Sequence, residues 1–320
     1  MMRRDIFRLV VFLIPVLAFM FTLDFMITKG LKRTHATDFN EWNAIFNRNI
    51  RADMIINGNS RATVHYSPAI LDSILHVNSY NIGLTGQMII IQLCRIQTCL
   101  KYCPKPEIII QDVDKYTLSK ETDLHNPVIF LPYLSEPSIR EATLKHKGLT
   151  WQDYNLPLVR YQGYNNWIRH GLREYFNDDP KPDVKRYKGY SGQEKKWDGK
   201  WDQFMKTNPE GIRIAVDRES CQMFEAFIKQ CKKEGIRLIL VHSPELYESR
   251  KYFHNRDSII SVFKQWALRY KLNFLDYSED TICRQRKYFY NALHLNKEGA
   301  ELFSGKLARD LRDLKTGHPH

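Results

Sequence analysis

The chain has 320 residues and a mass of 38.0 kDa, which suits one elaborated α/β domain better than a single small core. Hydrophobic residues make up 43% and charged residues 26%, which excludes a wholly disordered chain and a coiled coil; a mean hydropathy of −0.46 excludes a polytopic membrane protein. Forty-eight Lys and Arg against 36 Asp and Glu leave a net charge of +12, a balance that favours polyanionic neighbours such as phosphate surfaces, acidic glycans or nucleic acid.

The N-terminus bears on the compartment. Arg3 and Arg4 precede an unbroken run of fifteen apolar residues at 9–23 (LVVFLIPVLAFMFTL). Continuing to Thr28 gives a stretch long enough to cross a hydrocarbon core of about 30 Å as a helix. Arg8 and Asp24 stand near its ends, where snorkelling lowers their cost, and Pro15 is tolerated in such a helix. A cleaved signal peptide is the competing reading, but its exit is poor: Thr34-His35-Ala36 lies beyond Lys29, Lys32 and Arg33. The expectation is an uncleaved anchor at residues 1–33, in the membrane through 6–28, with residues 34–320 on the extracytoplasmic side of the cytoplasmic membrane. Basic residues flank the run on both sides, so they do little to set its orientation.

Five short runs read as strands: 53–57 (DMIIN), 79–82 (SYNI), 107–111 (EIIIQ), 237–242 (RLILVH) and 273–276 (NFLD). Helical patterns separate them at 68–75, 87–102, 221–234 and 257–270, and an amphipathic pattern at 298–314 closes the chain. Apolar strands alternating with helices predict an α/β fold, a flavodoxin-like three-layer sandwich around a five-stranded parallel sheet, with functional groups at the C-terminal strand ends. Residues from about 119 to 213 break this rhythm and read as an insertion, a lid or a substrate-facing platform. Four of the six tryptophans lie there: Trp151, Trp167, Trp197 and Trp201. Residues 181–206 carry eight Lys or Arg against four Asp or Glu, interleaved with aromatic rings. Rings stack on sugar faces and basic groups attract uronate or phosphate, so Trp151, Trp167 and Trp197 are candidate glycan contacts. Nucleic acid uses similar chemistry, but an exported domain argues against it.

Cysteine spacing does not make a metal site. No C-x-x-C occurs, and Cys94, Cys99 and Cys103 fall at helical spacing without a following His pair. Neither a metal nor an organic cofactor is expected. The first strand instead runs into Gly58-Asn59-Ser60-Arg61, a serine at a tight turn where a helix can begin. Such a place suits a nucleophile, because backbone N–H groups meet an oxyanion formed there; a plain helix-capping serine is the alternative. Late in the chain His294 stands in what reads as a loop before the last helix. Asn291, three residues back, can reach its Nδ1.

Gly58-Asn59-Ser60, Asn81-Ile82-Gly83 and His294-Leu295-Asn296 together resemble the SGNH/GDSL hydrolase superfamily over most of residues 50–118 and 235–312. The chain is more narrowly similar to membrane-anchored SGNH-like proteins that act beside envelope O-acyltransferases in alginate acetylation and teichoic-acid D-alanylation. The resemblance implies Ser60 as nucleophile, His294 as base, and Gly83 with the Ser60 N–H as oxyanion donors. Two positions depart from it. Asn291 stands where the family has Asp, with Asp276 as a candidate substitute. The third strand ends Gln111-Asp112, where a Gly-x-Asn-Asp pattern is expected, leaving Gln111 as the candidate donor. Arg61 could pair with an anionic substrate group and His242 could line the cleft.

These features imply a serine esterase or O-acyltransferase that removes or moves acyl groups, most simply acetyl, on an envelope glycan through an acyl-Ser60 intermediate. A membrane-bound O-acyltransferase is a possible partner. The reading from a different class is a catalytically silent anchored subunit that keeps the fold and binds glycan or assists such an acyltransferase. A metal-assisted phosphodiesterase lacks the carboxylate and histidine cluster it needs.

Overall fold

The computed structural model describes residues 2–120, 122–179, 181 and 186–316, so the terminal 317–320 and part of the basic 181–206 stretch lie outside it. In chain order the helices and strands are α1 (Met2–Leu31), α2 (Thr37–Phe46), β1 (Met54–Asn57), α3 (Ser60–His65), α4 (Pro68–Leu75), β2 (Ser79–Asn81), α5 (Ile89–Tyr102) and β3 (Ile108–Asp112). Next come α6 (Pro137–Leu144), α7 (Trp151–Asn155), α8 (Asn165–Phe176), α9 (Lys200–Thr207), α10 (Arg218–Lys233), β4 (Arg237–His242), α11 (Arg256–Tyr270) and β5 (Asn273–Asp276). A short hairpin, β6 (Phe289–Asn291) with β7 (His294–Leu295), leads into α12 (Lys297–Thr316). Residues 1–43 and 122–183 form one compact unit; residues 44–121 and 184–320 form another.

The larger unit is built on a five-stranded parallel sheet in the order β2-β1-β3-β4-β5, the α/β arrangement expected from the alternating pattern. Every residue of β1 and β3 is buried, as a sheet covered on both faces requires. From β1 the chain crosses leftward to β2, and afterwards always rightward. Right-handed crossovers therefore put α3 and α4 on one face and α5, α10 and α11 on the other. The contacts agree: α12 packs on α3 and α4, α10 packs on α5, and Phe224 of α10 stacks on Trp266 of α11 with centroids 5.2 Å apart. The direction reverses between β1 and β3, so a cleft opens at the C-terminal ends of those strands, where such sheets hold ligands.

The smaller unit shows what the N-terminal helix does. Positions from Ile6 to Phe21 of α1 are largely exposed, including Phe7, Phe12 and Phe19, and the helix is long and apolar enough to cross a membrane. From Asp24 onward the same helix is packed against protein. Ile27 and Leu31 are fully buried, and Gly30 lies so close to the Gly171 backbone of α8 that a Cβ would fall 1.7 Å from its carbonyl oxygen. Asp24 is buried rather than snorkelling: its carboxylate accepts from the Arg160 guanidinium and from Leu158 N at 2.9 Å. Asn43 Nδ2 then holds the Leu31 and Thr34 carbonyls at 2.9 and 2.8 Å.

At the centre of the sheet Ile109 is fully buried and aligned with Ile55 on one side and Leu238 on the other. Ile109→Ala should cost about 2–5 kcal/mol, since close-packed neighbours cannot collapse fully into the cavity. Urea denaturation of the full chain in detergent, followed by tryptophan fluorescence, measures the loss.

Candidate active site

All the hydrogen-bonded candidates lie in the larger unit. β1 ends at Asn57, and Gly58 makes the exit with φ +152°, its missing side chain leaving room for the Ala62 and Asp112 Cβ atoms. Asn59 caps α3 by accepting from Arg61 N at 2.9 Å, which places Ser60 as the first residue of the helix. Gly83, beyond β2, packs against the Thr63 backbone of α3, where a Cβ would approach N to 2.6 Å. The sequence thus supplies glycine at the two positions where the serine turn meets its neighbours.

From the other end of the chain, the β6–β7 hairpin brings Asn291 and His294 opposite each other in register. His294 stands on a two-residue strand, not in the loop expected from sequence. Ser60 Oγ lies 2.7 Å from His294 Nε2, and His294 Nδ1 lies 2.9 Å from Asn291 Oδ1. The N–H groups of Leu293 and His294 both donate to the same Oδ1 at 3.0 Å. An amide nitrogen could not accept them, so these two donors orient the Asn291 side chain. Nδ1 must then carry the ring proton, leaving Nε2 to accept from the Ser60 hydroxyl. Asp276, the candidate substitute, does not enter this chain; its carboxylate binds Ser278 and pairs with Lys264 Nζ at 2.9 Å.

The His294 ring is stacked on Tyr290, with centroids 5.3 Å apart and planes 6° from parallel. Burial, assisted by the charge of Arg61, lowers its pKa to about 4. The imidazole is therefore neutral across ordinary pH, the form a general base needs at rest. The linkage sign follows. A folded pKa below the unfolded value gives stability that is complete above about 6.5 and declines as pH falls toward 4.

Behind Ser60 lies a buried charged cluster that sequence reading missed. Arg61 is 2% exposed; its guanidinium donates to the Ser243 carbonyl and hydroxyl and lies 3.8 Å from Asp112 and 3.7 Å from Glu245. Glu245 also accepts from Lys115 and Arg256. Burial alone would raise the Glu245 pKa, but Lys115, His242 and Arg256 hold it well below the ordinary value. His65 closes the cluster toward the hairpin: Leu295 N donates to its Nε2 at 3.0 Å, so its Nδ1–H donates to Ser243 Oγ at 2.9 Å. Arg61 and His242 thus correct the expectation of substrate contacts. Arg61 forms part of a cavity wall, but its guanidinium is taken by the cluster. His242 is fully buried between the Val113 carbonyl and Arg256. The sequence signal was Val241-His242-Ser243-Pro244-Glu245 across the end of a strand, polar residues that face inward instead of into the cleft.

The oxyanion donors are also revised. Gly83 N–H donates to Asn81 Oδ1 at 2.9 Å, and Gln111 is fully buried with its Nε2 donating to Gln92 Oε1 and the Asp112 carbonyl. Gln111 belongs to an amide network that also includes Asn57, its sheet partner. The N–H of Ser60, and that of Gly86, have no acceptor among the described residues. A cavity of about 230 Å³ is lined by Ser60, His294, Gly86, Met88, Asp114 and Tyr116, among others. Asp114 holds Asn59 Nδ2 at 2.9 Å. Burial would raise its pKa, but Arg61 and the Asn59 bond bring it below the ordinary value, so it is ionised. Trp197, under the guanidinium of Arg286 at 4.9 Å, lies in the same unit; Trp151, 67% exposed, and Trp167, packed on Phe39, belong to the smaller one. Among the described residues no group of acidic, His or Cys side chains could hold a metal ion.

Asn291→Asp keeps the acceptor and adds a charge beside Nδ1. It should move the acid limb of Ser60 reactivity upward from near pH 4 by about 1–3 units. The pH dependence of Ser60 phosphonylation in the two proteins measures this, and superimposable profiles contradict it.

No family model and no curated protein matches the sequence. Solved structures with a similar chain course include a lipolytic protein described as of the G-D-S-L family from Desulfitobacterium hafniense DCB-2, 13% identical, covering 80% of this chain and 97% of its own, at a TM-score of 0.40. Another is a GDSL-like lipase from Bacteroides thetaiotaomicron VPI-5482, 11% identical over 86% of this chain and 99% of its own, at 0.37. A third, described as a platelet activating factor from Streptococcus pneumonia, is 12% identical over 88% and 94%, at 0.45.

Proposed function

We propose that the protein is an SGNH-type serine esterase or O-acyltransferase, anchored by α1, that acts on acyl groups of an envelope glycan. The observation that carries this reading is the 2.7 Å contact between Ser60 Oγ and the acceptor nitrogen of a neutral, oriented His294. Ser60 Oγ attacks the ester carbonyl and its proton passes to His294 Nε2. The Ser60 and Gly86 N–H groups receive the oxyanion. Collapse breaks the ester C–O bond, and His294 returns the proton to the departing alkoxide, leaving an acyl-serine. Water or a sugar hydroxyl then attacks with His294 again as base, and Ser60 recovers its proton.

Asn291 orients the imidazole but brings no negative charge to the imidazolium, which supports a slower, specialised catalyst. The buried, ionised Asp114 behind the cavity opposes anionic groups there, which favours an uncharged acceptor such as a sugar hydroxyl. Trp197 offers a ring face in the same unit. The packing of Asp24, Ile27 and Leu31 into the smaller unit favours a retained anchor, because cleavage after Ala36 would strip that unit of its longest helix and leave Arg160 without its carboxylate. In this reading the soluble part lies on the extracytoplasmic side, where the glycan is, and a membrane-bound O-acyltransferase is a fitting partner. The uncharged Asn291 and the engaged Gly83 N–H favour one other reading, a catalytically silent subunit that binds glycan or assists such an acyltransferase.

Labelling the full chain with a fluorophosphonate, read by peptide mass spectrometry, separates the two. An adduct on Ser60 that falls at least a hundredfold in His294→Ala is expected of the enzyme; no adduct on folded protein supports the silent subunit. N-terminal sequencing of the membrane-extracted protein should find residues 1–33 still attached.

A further inference from the structure

Beside the cavity at Ser60 lies a second one of about 190 Å³, lined by Tyr116, Trp201, Phe204, Phe253, Ala292 and Leu293, with Asn291, Asp198 and Lys200 completing its wall. Both cavities share Tyr116 and Leu293. The second therefore lies against the same two residues as the first, one of them immediately before His294. Its aromatic wall is firmly built: Trp201 stacks on Phe204 at 5.1 Å between centroids, and Phe204 and Phe253 lie 6.1 Å apart at 21°. Trp201 is 5% and Phe253 3% exposed. The buried Nε1–H of Trp201 has no acceptor among the described residues.

We infer that this aromatic chamber is the acyl subsite, and that the group carried by Ser60 is an apolar chain of medium length, larger than acetyl. The inference rests on the esterase reading and deepens it. An acetyl group fits within the first cavity and gives the second nothing to hold. An apolar cavity of about 150 Å³ takes a molecule the size of benzene, so 190 Å³ accommodates about six to eight carbons. Four aromatic rings, one methyl and one leucine give that chain an apolar wall to lie against, while Ser60 and His294 stand in the wall of the neighbouring cavity. The walls come from four separate stretches of chain: the β3 exit, α9 and the residues just before it, the segment before α11, and the β6–β7 hairpin. The hairpin also carries His294, so acyl-chain binding and orientation of the base share one element.

The test is a series of p-nitrophenyl esters from acetate to dodecanoate, hydrolysed by the full chain in detergent, with Phe204→Trp as the variant that fills the chamber. The expected result is a kcat/KM at least tenfold higher for hexanoate than for acetate, a decline by dodecanoate, and a hexanoate-to-acetate ratio that falls at least tenfold in Phe204→Trp. Ser60-dependent turnover that is fastest with acetate, or a ratio unmoved by the variant, overturns the subsite while leaving the esterase intact. If no ester turns over, the esterase reading fails, and the chamber is judged by calorimetric titration with hexanamide and acetamide. Saturable hexanamide binding that is lost in Phe204→Trp upholds the chamber; its absence overturns it.

Discussion

Leu293 N–H and His294 N–H both point at Asn291 Oδ1, and the state of Ser60 depends on that contact. With its oxygen fixed, Asn291 can only accept from His294 Nδ1, and the tautomer follows without any charge in the third position. Burial then keeps the ring neutral. In the usual arrangement a carboxylate does two things at once: it holds the imidazole and it stabilises the imidazolium. Here the first is retained through backbone geometry and the second is absent, so what remains is a ready base whose conjugate acid is poorly supported.

The surrounding structure makes sense as support for that contact. His65 ties the hairpin at Leu295 to Ser243 at the end of β4, and Ser243 is gripped by Arg61, the neighbour of the serine. Three cations, Arg61 on α3, Lys115 beyond β3 and Arg256 at the start of α11, face three buried carboxylates, Asp112, Asp114 and Glu245, at the ends of β3 and β4. Removing any one partner would leave an uncompensated buried charge, an error that costs about 3–5 kcal/mol. The cluster therefore fixes the relative positions of the β1 exit, where Ser60 sits, and of the hairpin, where His294 sits. The positive charge nearest the imidazole in this cluster also helps to keep it unprotonated.

Much of this was legible in the sequence because it rests on long or strongly patterned elements. The apolar strands at Met54–Asn57, Ile108–Asp112 and Arg237–His242, with helices between them, announced the parallel sheet, and Gly-Asn-Ser at a strand end announced the serine turn. What stayed hidden has physical reasons. The β6–β7 hairpin spans strands of three and two residues, too short for any periodicity to register. Arg61 and His242 are residue types that usually meet solvent, and their burial depends on partners up to 182 positions distant, which no local pattern encodes. Gln111 reads as a spare donor until its sheet partner Asn57 and helix neighbour Gln92 are seen to consume it. The aromatic residues from 197 to 204 looked like a sugar platform, whereas Trp201 and Phe204 turn inward beside Phe253.

His294 rests as a neutral imidazole with its proton on Nδ1, held there by Asn291. Nitrogen-15 NMR of the full chain in detergent micelles, labelled at histidine, reads tautomer and protonation directly. A protonated Nδ1 and an unprotonated Nε2 are expected for His294 from pH 8 down to near its pKa of about 4. A proton on Nε2, or an imidazolium already formed at pH 6, would contradict it.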